Sequence, residues 1–181
     1  MIEDKLLIWK LKCGSRKALE QTYKKYKNFL LKLALALLHN QTDAEDVVHE
    51  VFLILARSPE ILRLDGNLKS FLATCVANRA RNINKSRPSN TINDLEETEL
   101  ISGNIKRPEQ WLVFDERLKL LITSMAQLPY EQREVIMMHI EGDMKFRTIA
   151  SYQNVSINTI QSRYRYGMEK LRSILNSEVE K

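Results

Sequence analysis

The sequence predicts an all-α protein of two small helical bundles joined by a flexible linker, the second containing a helix-turn-helix. Three observations carry that expectation. Apolar residues recur at three- and four-residue steps through most of the chain, Gly (5) and Pro (4) are scarce among 181 residues, and the periodicity lapses once, in an acid-rich stretch near the middle. A sheet protein would need more tight turns than so few glycines and prolines supply.

The first helix with a clear stripe starts at Ser15, a good N-cap, and runs to about His39, with Leu19, Tyr23, Tyr26, Leu30 and Leu33 on one face. Thr42-Asp43-Ala44-Glu45 is a capping-box pattern opening a second helix, whose buried stripe is Val47, Val48, Val51, Phe52 and Leu55. Ser58-Pro59 closes it. Ile61 to Leu64 and the turn signal Asp65-Gly66 lead into a third helix from about Leu68 to Lys85. Between Arg87 and Pro108 the pattern disappears and Asp94, Glu96, Glu97 and Glu99 collect, which marks residues 90–109 as a linker between units at 1–89 and 110–181. Periodicity resumes at Trp111 and breaks at Leu128-Pro129. Tyr130 to Ile140 then reads as a helix ended by Gly142, followed by a short helix from about Lys145 to Tyr152 and a long one from Ile157 to about Leu175.

Charge is distributed unevenly. Residues 1–90 hold 16 basic and 9 acidic side chains, 91–115 hold 2 and 6, and 116–181 hold 10 and 8, for a net charge of +5. Two basic bodies flanking an acidic connector suit a polyanionic partner. Cys13 and Cys75 are far apart within helical patterns and are expected to be reduced, half-buried thiols. His39, His49 and His139 lack ligand spacing, so no metal is expected. No apolar run approaches the 20 or so residues that span a bilayer, and Met1-Ile2-Glu3-Asp4 lacks the features of a signal peptide, so a cytoplasmic protein is expected. The five glycines form no phosphate loop, and no nucleophile and base pair can be assembled, so neither cofactor nor catalysis is expected.

Three segments are chemically distinctive. As a helix, residues 68–87 place Leu68, Leu72, Val76, Ala80 and Ile83 on one face and Ser70, Thr74, Asn78, Arg81 and Lys85 on the other, with no acidic residue from Gly66 to Asn93. A face of hydroxyls, amide and cations accepts a phosphate backbone and bonds unstacked bases, whereas a merely solvated face would ordinarily mix in Glu. In the second segment, Ala150, Asn154, Val155, Ser156 and Ile160 supply in order the small crossing residue, the left-handed turn residue, the apolar contacts and the N-cap of a helix-turn-helix. Its second helix would present Asn158, Thr159, Gln161, Ser162, Arg163 and Arg165 to DNA, with Lys145 and Arg147 placed for phosphate contacts. In the third, Glu45, Asp46, His49 and Glu50 make an acidic cluster opposite the buried stripe of their helix. The helix dipole accounts for the first two but not for Glu50, so the cluster also suits a basic protein surface.

Taken together, these segments resemble the extracytoplasmic-function sigma factors. Asp43-Ala44-Glu45-Asp46-Val47-Val48-His49-Glu50-Val51-Phe52 is similar to the family's region-two helix that grips the polymerase clamp. Asn67 to Leu72 with Ala77 to Asn82 is similar to the segment that melts and reads the minus-ten element. Leu128 to Val135 and the helix-turn-helix are similar to region four, which reads the minus-thirty-five element. The resemblance implies binding to core RNA polymerase and promoter DNA, control by an anti-sigma factor or other regulator, and no catalysis. It further implies an acidic linker threading toward the RNA exit path. The sequence departs from the family pattern at Phe71, where Trp is frequent, at Asn154, where glycine is usual, at Thr148, where Glu is frequent, and at Tyr166 and Met168, where cations are common. Two rivals remain: a DNA-binding regulator would leave the 68–87 stripe unexplained, and a polymerase-binding adaptor would leave Asn158 to Arg165 unexplained.

Overall fold

A computed structural model describes residues 2–58, 60, 67–86 and 116–179. Among them lie eight helices and no strand: α1 (Ile2–Lys12), α2 (Arg16–Leu38), α3 (Gln41–Arg57), α4 (Leu68–Ser86), α5 (Glu116–Ala126), α6 (Tyr130–Ile140), α7 (Phe146–Gln153) and α8 (Ile157–Val179). The expected linker at 90–109, the segment 61–66 and the helix start at Trp111 lie outside the described residues. None of these helices is long and apolar enough to cross a membrane.

The spine is α2. Ser15 caps it as expected, its hydroxyl accepting from the Ala18 amide at 3.3 Å. Its first half is amphipathic, but Leu30, Leu31 and everything from Leu33 to Leu38 are buried. A helix buried all round must be covered on every side, and α2 meets α1, α3, α4, α5 and α6. The two helical groups, α1–α4 and α5–α8, therefore pack directly on each other. A left-handed residue, His39 (φ 56°), ends α2.

Several local expectations need correction. The N-cap of α3 is Asn40, whose side chain accepts from the Asp43 amide at 3.0 Å, so Thr42 and Glu45 lie inside the helix rather than forming a box. Asn is among the strongest caps and stands two residues earlier in the chain. The sequence reading also missed α1. Cys13 is exposed, not half-buried, because it falls in the turn after α1, where Gly14 takes φ +73°; Cys75 is half-buried as expected. At the end of α6 the left-handed residue is Asp143 (φ 52°). Gly142 is needed for a different reason: a Cβ there would stand 2.5 Å from the Met138 carbonyl oxygen.

Ile8 and Leu11 bury α1 against the core, and one polar clasp fixes its start. Asp4 accepts from Lys25 Nζ at 2.8 Å and from the Tyr26 hydroxyl at 2.7 Å. Burial alone would raise the Asp4 carboxyl, but these two hydrogen bonds outweigh it and hold the group below its usual range. In the other group, Gly167 lets α8 cross α6 closely, since a Cβ there would lie 2.8 Å from Ile136 Cδ1 and 3.1 Å from Gln132 Cβ.

Two outcomes are expected. Asp4→Asn should lower stability to urea at pH 7 by about 1 kcal/mol. Because the folded carboxyl titrates below the ordinary 3.8, the wild-type chain should keep that contribution above this value and lose it as pH falls further. Gly167→Leu should cost about 1–3 kcal/mol by overpacking, read in the same denaturation.

Candidate nucleic-acid interface

Sorting of α4 follows the predicted faces. Leu68, Leu72, Val76 and Ala80 are buried, and Ile83 packs against them half-buried. On the other side, Asn78 and Lys85 are exposed and Ser70, Thr74 and Arg81 half-buried. The start of the helix is capped by Asn67 Oδ1, which accepts from the Lys69 amide at 2.9 Å. Asn84 is structural: its amide donates to the Leu37 carbonyl at 3.1 Å and ties α4 to the spine.

The helix-turn-helix forms as its residues require. Asn154 is left-handed (φ 55°), and the following Val155 amide returns to the Ala150 carbonyl at 3.1 Å. Ser156 Oγ accepts from the Thr159 amide at 3.1 Å, which caps α8. Ile149 and Ile160 are fully buried at the crossing. His139 anchors the unit to α6, its ring stacked on Phe146 at 4.2 Å and edge-on to Tyr164 at 5.1 Å, with Nδ1 2.8 Å from the Met144 carbonyl oxygen.

Its candidate DNA-contacting residues divide into two sets. Asn158, Gln161 and Arg165 are exposed on α8, and Lys145 and Arg147 are exposed at the start of α7. Thr159, Ser162 and Arg163 are half-buried. The Thr159 hydroxyl lies 2.8 Å from Ser156 Oγ, and Arg163 donates to Gln153 Oε1 at 2.8 Å. Arg165 lies over the Tyr166 ring at 4.9 Å. The acidic cluster on α3 faces outward: Glu45, Asp46 and His49 are exposed, while half-buried Glu50 pairs with Arg79 at 2.5 Å.

Sequence reasoning did not find the junction between α4 and the second helical group. Arg81 Nη2 donates to both oxygens of Glu134, at 2.8 and 2.7 Å, and the Glu134 side chain is only 2% exposed. Gln153 donates to the same carboxylate at 2.7 Å. Burial pushes the Glu134 carboxyl above its usual range, and Arg81 only partly reverses this. For Arg81, burial opposes the charge but the Glu134 bonds outweigh it and hold the guanidinium more firmly protonated. Around this pair, the Tyr152 hydroxyl donates to Asn78 Oδ1 at 2.9 Å, Lys69 to Asp143 at 2.6 Å, and Ser70 Oγ to the Gly142 carbonyl at 3.4 Å. Farther along, Arg133 Nη1 donates to His39 Nε2, joining α6 to the end of α2. A cleft of about 340 Å³ opens beside the pair, lined by Arg81, Lys85, Tyr130, Glu134, Gln153 and Arg163 among others. The signal available in the sequence was Arg133-Glu134-Val135-Ile136-Met137-Met138, six consecutive residues of α6 that are all buried. Four successive apolar residues cannot share one helix face, so α6 had to be covered on more than one side.

Comparison with known proteins gives a consistent answer. A family model described as Sigma-70 region 2 matches residues 22–87, and one described as Sigma-70, region 4 matches residues 118–171. The RNA polymerase sigma-H factor of Pseudomonas aeruginosa is 24% identical over 169 residues, which cover 89% of this chain and 88% of that protein. RNA polymerase sigma factor SigV of Bacillus subtilis is 24% identical over 153 residues, covering 84% and 88%. Among solved structures, CnrH in complex with the cytosolic domain of CnrY shares the fold with a TM-score of 0.67 at 20% identity, covering 96% of this chain and 97% of that one. The sigma factor RpoE in complex with the anti-sigma factor NepR from Bartonella quintana gives 0.64 at 21% identity, covering 87% and 98%. With both regions present in order, and a match to sigma factors along most of its length, the chain belongs to the sigma-70 family as a transcription-initiation sigma factor of the extracytoplasmic-function type.

Proposed function

We propose that this chain binds core RNA polymerase through the α3 face of Glu45, Asp46, His49 and Glu50, opens promoter DNA along α4, and anchors upstream duplex through α8. The observation that carries the reading is the pairing of surfaces in one chain. An acid-free polar helix face lies beside an outward acidic one in the region-two match, and a helix-turn-helix with exposed Asn158, Gln161 and Arg165 lies in the region-four match. The units are residues 1–89 and 110–181, with 90–109 as the connector.

Each surface has a physical task. Exposed carboxylates on α3 attract a basic docking surface and fix its orientation. On α4, Ser70, Thr74 and Asn78 bond the edges of unstacked bases while Arg81 and Lys85 take phosphates. Extruding a base costs a few kcal/mol, which contacts of this kind recover as the strand is captured, so no nucleotide hydrolysis by this chain is required. On α8, Asn158, Gln161 and Arg165 reach base edges in the major groove, Thr159, Ser162 and Arg163 flank them, and Lys145 and Arg147 fix register on the backbone. The protein acts in the cytoplasm without catalysis of its own. By analogy with RpoE, described in complex with the anti-sigma factor NepR, an anti-sigma factor or other regulator controls it.

The test is transcription in vitro from a pool of genomic fragments with core polymerase and this chain. Specific start sites are expected, and their absence would refute the reading. Asp46→Lys should abolish association with core polymerase while leaving helix content unchanged. Arg165→Ala should weaken upstream promoter binding by about 1–3 kcal/mol with polymerase association intact. If the two variants exchange these phenotypes, the surfaces are assigned to the wrong partners.

A further inference from the structure

We infer that the first two turns of α8 read A·T pairs rather than G·C pairs, with Asn158 and Gln161 bonded to adenine and Ile157 packed on a thymine methyl, by direct contact in the major groove and not through the shape of the duplex. The inference rests on the assignment of α8 to upstream duplex proposed above and names the bases that helix takes.

Those two turns carry one charge, and it is engaged within the protein. From Ile157 to Tyr164 the one charged side chain is Arg163. It is half-buried, and its Nη1 donates to Gln153 Oε1 at 2.8 Å, which draws it back onto α7. Thr159 is likewise engaged, its hydroxyl 2.8 Å from Ser156 Oγ in the cap. Asn158 and Gln161 are exposed, and Ile157 is 39% exposed although its side chain is wholly apolar. Residues three and four apart are neighbours on a helix surface, so these three side chains form one outward patch, and Arg165 continues the same stripe a turn later.

Each base offers a different edge in the major groove. Guanine is held by two donors of Arg or Lys, cytosine by a carboxylate, adenine by the paired donor and acceptor of an Asn or Gln amide, and thymine by an apolar group on its methyl. Residues 157–164 present two exposed amides and an exposed branched aliphatic, with no carboxylate and no exposed cation. A G·C pair therefore has no charged reader on either strand here, whereas both bases of an A·T pair do have partners. Three residues of helix advance about 4.5 Å and neighbouring base pairs lie about 3.4 Å apart, so Asn158 and Gln161 meet successive pairs. Arg165, lying over the Tyr166 ring at 4.9 Å, brings a guanine reader only to the distal edge of the element.

The full chain, with core polymerase present and absent, is used to select from a randomised duplex pool, and the enriched sites are sequenced. Two successive A·T pairs are expected within the site; enrichment of G·C pairs across it, or of no sequence under either condition, would overturn the inference. In the selected duplex each of these A·T pairs is then replaced by inosine·cytosine, which keeps the minor groove of A·T but presents the major-groove edge of G·C. Affinity should fall about tenfold, as far as it falls with G·C itself, and undiminished affinity would assign the preference to duplex shape and overturn direct reading. Uracil in place of thymine should cost the native chain about fourfold and Ile157→Ala nothing; equal losses in both would remove Ile157 from the reading. Gln161→Arg should exchange adenine for guanine at one pair, a gain that a misfolded variant could not show, and an unaltered preference would remove Gln161. Transcription with core polymerase tests the proposed function separately: a chain that selects A·T duplex but initiates nowhere refutes that function alone, while specific start sites that tolerate inosine·cytosine refute the reading alone.

Discussion

A carboxylate that is only 2% exposed cannot stand alone, and in this chain the group that satisfies Glu134 comes from the other helical group. Arg81 reaches across from α4 and meets both carboxylate oxygens, so separating α6 from α4 without water reaching Glu134 would leave a buried charge unpaired. Around that pair, Tyr152 lies over Arg81 and bonds Asn78, Gln153 donates to the same carboxylate, and the turn after α6 meets Lys69 and Ser70. The same arginine is the cation that an opened DNA strand would seek. Structure and proposed function therefore compete for a single side chain.

Apolar burial supplies the frame in which that competition takes place. The last third of α2 is buried and α2 touches α3 and α4 as well as α5 and α6, so the spine belongs to both helical groups. Close packing there is bulky and nonspecific in direction, whereas the polar junction at α4 fixes orientation. This division of labour suits a protein whose halves must meet different surfaces of one larger assembly.

Much of this was readable from residue order, and the reasons are local. The faces of α4 follow from three- and four-residue spacing, and the turn between α7 and α8 follows from Asn154 and Ser156, each a response to a backbone need of its immediate neighbours. What stayed hidden depends on distant partners. Glu134 looks like an ordinary helical acid until Arg81, 53 residues earlier, is brought beside it. The first helix escaped because Ile2-Glu3-Asp4-Lys5-Leu6-Leu7-Ile8-Trp9-Lys10-Leu11-Lys12 has no single apolar face: Ile8 and Leu11 are buried while Leu6 and Trp9 are exposed. At α3 the error was one of choice between adjacent caps, since Asn40 and Thr42 are both competent and only the chain path out of the left-handed His39 decides between them.

The account turns on the face of α4 changing partners, from the chain's own second helical group to an opened DNA strand. A photoreactive side chain at position 78 of this chain reports that exchange directly. In the free protein it should cross-link to the segment around Tyr152; with core RNA polymerase and a promoter fragment it should cross-link to one DNA strand. Persistence of the internal cross-link in complexes that are actively initiating transcription would contradict the central claim.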